Sequence, residues 1–154
     1  MNAIHNKEFI MSTPLSALIK EKGNIIYSAH PEETVFACVK KMGVAGVGAL
    51  LIIDETGLVG IFTERDVSKK VVLQKVDVET VCVSSVMTRD VKTVTPSTTT
   101  DEAMSIMTEE RFRHLPVLLE DNVLGLISIG DLTRWVVMSQ QHNINHLVEY
   151  INNG

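Results

Sequence analysis

Aromatic side chains are scarce in this 154-residue chain, where Phe, Tyr and Trp together make up 5%. Stacked rings therefore cannot be the main grip on a planar ligand, and Val, Ile, Leu and Met must build both the core and any such site. Cysteine is scarcer still: two residues are too few for a disulfide framework. Cys38 falls on an apolar helical face, where a buried thiol behaves as a small hydrophobe, and Cys82 in a Val-rich linker is the only thiol placed for redox chemistry. Positive charge is in deficit, with 14 Lys+Arg against 19 Asp+Glu and a formal charge of −5. That sign is wrong for a protein whose affinity comes from neutralising phosphates along a nucleic acid, so a general nucleic-acid binder is excluded. Long hydrophobic runs are missing as well. The longest apolar run, Met42 to Ile53, has 12 residues including three glycines, against roughly 20 for a membrane span. The first dozen residues mix His5, Lys7 and Glu8 with neither a hydrophobic region nor an Arg-rich amphipathic pattern. No leader is read there, and a cytoplasmic protein without membrane contact is expected.

What is present suffices for a core: 45% of residues are hydrophobic and 21% charged. That balance excludes a disordered chain. The length fits one compact domain or a tightly packed pair of small ones, which excludes a multi-domain enzyme, and folding should bury about 68–70% of the unfolded surface.

The choice between one domain and two turns on an internal repeat. Shifted against itself by 65 residues, the sequence aligns Ile25–Leu73 with Asp90–Met138 without a gap. Pro31 meets Pro96, Thr34 meets Thr99, Met42 meets Met107, Leu50 meets Leu115, Gly60 meets Gly125 and Asp66 meets Asp131. In each copy a short strand (Ile25–Tyr27; Val91–Val94) runs into a proline, which cannot continue a central ladder. Apolar residues then recur at helical spacing, at Val35, Cys38, Val39 and Met42 and again at Thr100, Ala103, Met104 and Met107. Two apolar strands follow (Ala49–Ile53 and Leu58–Phe62; Leu115–Leu119 and Val123–Ile127). Glu55-Thr56-Gly57 and Glu120-Asp121-Asn122 lie between them, the pattern of a hairpin. A second helix closes each copy from about Glu64 and Ile129. The expected fold is thus α/β (α+β), two tandem β-α-β-β-α repeats packed about a pseudo-twofold axis, because about 50 residues cannot cover both helices and both sheet faces alone. The organisation is an N-terminal extension (1–23), repeat 1 (24–75), a linker (76–88), repeat 2 (89–140) and a helical tail (141–154). In the tail Ile144, Leu147, Val148 and Ile151 keep helical spacing, so this stripe should dock on its own domain or on a partner.

The strongest repeated element is Gly60-Ile61-Phe62-Thr63-Glu64-Arg65-Asp66, matched by Gly125-Leu126-Ile127-Ser128-Ile129-Gly130-Asp131. It admits two readings. A hydroxyl followed three residues later by an acid is a capping box at a helix start, although the box favours Glu or Gln, which reach back further than Asp. Alternatively, a carboxylate in the first turn of a helix, beside a hydroxyl and free N–H groups, can accept hydrogen bonds from the vicinal hydroxyls of a ribose. The glycine would then let a base approach the backbone.

These two motifs, the 65-residue duplication and the strand opening Arg113-His114-Leu115-Pro116-Val117 resemble a pair of cystathionine-β-synthase (CBS) domains, the Bateman module, over about Asn24–Gln140. The resemblance implies a regulatory module whose inter-repeat cleft binds an adenosine-containing ligand: AMP, ADP, ATP, NAD or S-adenosylmethionine. It further implies a homodimer, acting on an unidentified protein partner. By the same resemblance Ser128 and Asp131, flanking Ile129, would hold the ribose in one site, and Thr63 and Asp66 in the other. The base would rest near Val94, Thr95 and Pro96, or near Ala29, His30 and Pro31. Arg113 and His114, in the strand that continues through Pro116, would face the phosphates of the second-repeat site, where a guanidinium suits bidentate contact. Arg65 and Lys69 would reach the same phosphates across the cleft or form a solvated helix face. Because the first copy has Gly48 and Ala49 where the second has Arg113 and His114, the second-repeat site is expected to bind phosphate better.

Two other functions compete. An enzyme is disfavoured, since no nucleophile–base set and no GxxxxGK[ST] loop is seen. A purely structural homodimerisation scaffold with degenerate ligand sites is the alternative. His142 and His146 have a metal-compatible spacing but lack the glutamate of the zinc-protease motif, so no metal is expected.

Overall fold

The computed structural model describes residues 12–153. Residues 1–11, on which the expectation about a leader rests, lie outside the described residues. The elements are α1 (Leu15–Lys22), β1 (Ser28–Ala29), α2 (Val35–Ala45), β2 (Ala49–Asp54) and β3 (Gly57–Thr63). A short α-turn, α3 (Glu64–Asp66), then runs into a π-helix (Val67–Val72), and a 3-10 turn (Val83–Ser85) precedes the second copy. That copy comprises α4 (Thr100–Glu110), β4 (His114–Leu119), β5 (Asn122–Ser128) and α5 (Ile129–Asn153).

Local chemistry explains the element ends. The Thr34 hydroxyl caps α2 by accepting from the Ala37 N–H, and Gly46 ends it in the left-handed region at φ 67°. Thr99 and Glu102 form a reciprocal capping box on α4. Both hairpins close through two-residue turns, Glu55-Thr56 and Glu120-Asp121, and both carry a register shift at the matched positions Ile52/Ile53 and Val117/Leu118. Alternation along the strands sorts the core. Leu50, Ile52 and Phe62 face α2 in the first copy, and Leu115, Val117 and Ile127 face α1 and α4 in the second. Ala49, Leu51 and Ile61 turn the other way and meet Val123 and Leu126, so the two sheets share one apolar seam.

The structure departs from the sequence reading in three places. The first strand of copy 1 is Ser28–Ala29, not Ile25–Tyr27, because Ala29 is the residue that buries its side chain against β2 while Ile25 and Tyr27 stay exposed. In copy 2 the matching strand shrinks to a single bridge, Val94 to Val117. The tail continues α5 unbroken, and Ile144, Leu147, Val148 and Ile151 remain exposed along it.

One feature of the topology ties the copies together. The segment before each repeat docks on the other repeat. Leu15 N–H donates to Thr98 O and Thr100 N–H to Thr13 O, while Val83 N–H donates to Glu33 O and Val35 N–H to Val81 O. These contacts are related by the pseudo-twofold: Thr13 stands to repeat 2 as Val81 stands to repeat 1.

Candidate functional site

Between the copies lies a cavity of about 620 Å³, lined by Gly48, Ile61, Thr63–Asp66, Ser68, Lys69, Thr88, Asp90–Lys92 and Phe112–His114. This volume is in the range of small-molecule sites. A smaller hollow of about 240 Å³ shares Arg65, Phe112 and Arg113 with it and adds Ile129.

Three elements position the polar groups. At the β3–α3 junction, Thr63 and Asp66 form the capping box in full: Thr63 N–H donates to Asp66 Oδ2 at 2.9 Å and Asp66 N–H to Thr63 Oγ1 at 3.3 Å. Aspartate thus reaches back despite its length. The second oxygen, Oδ1, accepts from Thr88 Oγ1 at 3.1 Å and pairs with Lys70 Nζ at 2.9 Å. Both oxygens of this buried carboxylate are therefore engaged by groups of its own chain. The π-helix that follows is wound with wider i to i+5 spacing, as in Leu73 N–H to Ser68 O, and it brings Ser68 and Lys69 to the cavity wall. The third element is the opening of β4. Arg113 O accepts from Ile129 N–H as Gly48 O accepts from Glu64 N–H, so Gly48 and Arg113 are pseudo-twofold mates that both line the one cavity.

The electrostatics are mixed. Arg65, Lys69, Lys92 and Arg113 face Glu64, Asp66 and Asp90. Arg65 is tethered, donating from Nη1 to Arg111 O at the C-terminal end of α4 at 2.7 Å, where a cation offsets the unpaired carbonyls. Burial pushes the His114 imidazole below its ordinary pKa, Lys22 and Arg113 add to this, and Glu64 and Asp131 oppose it. This shift favours the neutral form of His114, which offers one donor and one acceptor.

The second motif keeps the box but not the opening. Ser128 N–H donates to Asp131 Oδ2 at 2.8 Å and Asp131 N–H to Ser128 Oγ at 3.1 Å. Lys22 Nζ sits on the same carboxylate oxygen at 2.8 Å and on Leu126 O at 2.9 Å. Burial resists ionisation of Asp131, but Lys22 and the Ser128 groups outweigh it and hold the carboxyl below its ordinary pKa.

The residues singled out from sequence therefore divide. Thr63, Asp66, Arg65, Lys69, Arg113 and His114 share the cavity. Ser128 and Asp131 lie at the Lys22 contact, and Ile129 lines the smaller hollow. Val94 and Pro116 are buried in the sheet, and the Thr95 hydroxyl is occupied by Ser97 and Thr98. The cavity brings Arg113 and His114 to the first-repeat motif, while His114 also pairs with Ser128 across the β4–β5 hairpin and Arg113 O accepts from Ile129 N–H. Sequence reasoning missed Lys22, Lys70, Thr88, Asp90 and Lys92. None belongs to a motif, though Thr88 at the end of the linker and Asp90 and Lys92 at the start of repeat 2 stand close together in the sequence. His142 and His146 meet through their Nε2 atoms at 3.0 Å on the exposed part of α5, and no cluster of three or more metal-ligating side chains occurs among the described residues.

Two β-α-β-β-α copies, cross-docked by their leading segments around a central cavity, define a paired-repeat α/β module. The sequence model of the CBS domain matches residues 8–73 and 83–138. The chain is 36% identical over 152 residues to "CBS domain-containing protein CBSX3, mitochondrial" of Arabidopsis thaliana, covering 93% of this chain and 74% of that one. Among solved structures, a protein with CBS domains from Burkholderia ambifaria MC40-6, whose name proposes signal transduction, is 43% identical with a TM-score of 0.79 over 83% of this chain and 96% of that one. A CBS-domain protein from Agrobacterium tumefaciens is 34% identical with a TM-score of 0.75 over 79% and 98%. This chain belongs to the CBS-domain family. Among the described residues no helix is long and apolar enough to cross a membrane.

Proposed function

We propose that this protein is a regulatory module that binds an adenine nucleotide in the inter-repeat cavity, with the first-repeat motif as the ribose end. The observation that carries the reading is the joint presence, in one cavity of about 620 Å³, of the Thr63/Asp66 pair and of Lys69, Arg113 and His114. The carboxylate is suited to vicinal hydroxyls and the cations to phosphates. AMP, ADP or ATP fits this arrangement, and NAD is the dinucleotide version of the same chemistry. A ribose diol must take Asp66 Oδ1 from Thr88 and Lys70, which hold it in this structure. Thr88 ends the linker that docks on repeat 1 just before repeat 2 begins, so occupancy alters a contact between repeat 1 and the segment leading into repeat 2. That is the differential interaction a sensor requires.

Self-association belongs to the same proposal. Phe36, Val39 and Val44 on α2 and Val137, Met138, Leu147 and Ile151 on α5 are exposed, and apolar faces of this extent favour a homodimer over an isolated chain.

The test is a thermal-shift panel of AMP, ADP, ATP, NAD and S-adenosylmethionine. A ligand at 100 times its Kd adds about 2.7 kcal/mol. In the Arg113→Ala variant the shift with ATP should fall more than the shift with adenosine. No shift with any ligand overturns the proposal.

A further inference from the structure

The last helix, α5, runs for 25 residues, and only its first turns pack on the fold, with Leu132 buried and Ile129 and Trp135 beside the same core. From Gln141 to Glu149 every residue is exposed except the half-buried Asn143. This stretch gains little from tertiary packing, so links between its own side chains matter more to it. Gln141 Nε2 donates to Asn145 Oδ1 at 3.1 Å, and one position along the helix His142 Nε2 lies 3.0 Å from His146 Nε2.

The histidine contact has the wrong shape for an ordinary hydrogen bond. A straight N–H···N bond lays the two ring axes end to end and would set the ring centres about 5.3 Å apart. Two imidazoles aimed at one ion, about 2.0–2.1 Å from each nitrogen and at a right angle, set their centres about 4.5 Å apart. The observed centroids are 4.4 Å apart. The two Nε2 atoms therefore converge on a common point instead of facing each other.

We propose that His142 and His146 form a chelate for a divalent transition-metal ion of the nickel and copper class, separate from the inter-repeat cavity. With metal–nitrogen bonds of about 2.0–2.1 Å, the 3.0 Å separation gives an angle at the metal of about 91–97°, nearer the right angle of tetragonal sites than the tetrahedral angle of zinc sites. Each ring ligates through Nε2 and keeps its proton on Nδ1. No third His, Cys, Asp or Glu joins the pair among the described residues, so the other positions fall to water or to a donor from outside the chain. The spacing thus fails as a catalytic zinc centre and still supplies a two-point grip. A bound ion ties one helical turn to the next, and so holds the segment that carries the exposed Ile144, Leu147, Val148 and Ile151.

Calorimetric titration of tag-free protein with NiCl2 reads the site. One ion per chain is expected in wild type. His142→Ala and His146→Ala should each weaken binding at least tenfold, because either loss removes the effective concentration supplied by the second arm. Both positions are exposed and alanine is a strong helix former, so the variants keep the helix, which a circular-dichroism spectrum checks. The double variant His146→Ala/Ile144→His keeps two histidines, but at a spacing that does not face one another, and should bind as weakly as His146→Ala. In wild type, hydrogen exchange at the amides of residues 142–149 should slow at least tenfold with NiCl2 and stay unchanged with MgCl2, an oxygen-seeking ion. Loss in only one of the single variants, tight binding by the double variant, exchange that NiCl2 does not slow, or no binding by wild type at millimolar NiCl2 overturns the chelate.

Discussion

Gly60 and Gly125 are pseudo-twofold mates in β3 and β5, and adding one methyl to each gives a controlled comparison. A Cβ built on Gly60 lies 2.5 Å from Met87 Sδ, 3.0 Å from Met87 Cγ and 3.0 Å from Thr88 O. The thioether can swing away. The Thr88 carbonyl cannot, because Thr88 O accepts from Ile61 N–H at 2.9 Å and Thr88 N–H donates to Ile61 O at 2.8 Å, which clamps the two backbones together. A Cβ on Gly125 instead meets Ile19 Cγ1 and Cγ2 at 3.5 Å, an ordinary contact. Gly60→Ala is therefore an overpacking substitution costing about 1–3 kcal/mol. Gly125→Ala adds contact and trims the freedom of the unfolded chain, for an effect between neutral and about 1 kcal/mol stabilising. For a chain of this size each kcal/mol moves Tm by about 2–4 °C, so the two variants should separate by about 2–16 °C in a melt followed by far-ultraviolet circular dichroism. Adding Met87→Ala to Gly60→Ala should not restore the loss, since the backbone contact remains. Equal melting temperatures for the two single variants, or a less stable Gly125→Ala, would refute the reasoning that the leading segment of repeat 2 is locked on β3.

Other outcomes follow from the thiols and the titrating groups. Burial pushes the Cys38 thiol up to about 11, and Cys82 is half-buried; with a disulfide reagent at pH 8 the native protein should release one thiol equivalent quickly and the second only on unfolding. Asp131 has a folded pKa below its unfolded value of about 3.9, so its stabilisation is present above that pH and lost as pH falls through the lower folded value. Lys22→Met should therefore move the acid-unfolding midpoint to higher pH. His114 is also lowered in the fold, first by burial and then by Lys22. As pH falls from about 6.5 towards its folded value, the unfolded chain binds the proton that the fold refuses, so stability is lost on acidification and regained as pH rises. His114→Gln should flatten the stability profile between pH 7 and 5, and an unchanged slope would show that the imidazole is not held neutral.

Much of the fold was legible because the duplication is gapless where the strands and helices lie. Leu50/Leu115 and Gly60/Gly125 fixed the hairpins, and Thr34/Thr99 marked both helix starts. The leading segments escaped for a simple reason. Thr13 and Val81, or Ile19 and Met87, are mates at an offset of 68 residues, while the body of the repeat runs at 65. The extra three residues break the alignment just where the copies cross over. The π-helix at Val67–Val72 left no mark either, since Ser-Lys-Lys-Val-Val reads as ordinary helix. In the site, Thr63, Asp66, Lys69, Arg65, Arg113 and His114 were all identified as residues, and Arg65 and Lys69 were joined to Arg113 and His114 across the cleft; that Thr63 and Asp66 share the same cavity was not. The motif says that a carboxylate stands at a helix start, and it is silent on which strand end faces it. Lys22 was invisible because a lone lysine near a chain terminus has no pattern, and its role comes wholly from where Leu15, Leu18 and Ile19 anchor its helix.

The proposed function puts the ribose end of the nucleotide at Asp66 and not at Asp131. Equilibrium binding of ATP to wild type, Asp66→Asn and Asp131→Asn tests it most directly. A hydrogen bond to a charged group is worth about 1.5–3 kcal/mol, or roughly 10- to 150-fold in affinity. Asp66→Asn should weaken ATP by at least tenfold, while Asp131→Asn should stay within about threefold of wild type. Loss of binding in Asp131→Asn with Asp66→Asn unaffected would contradict it.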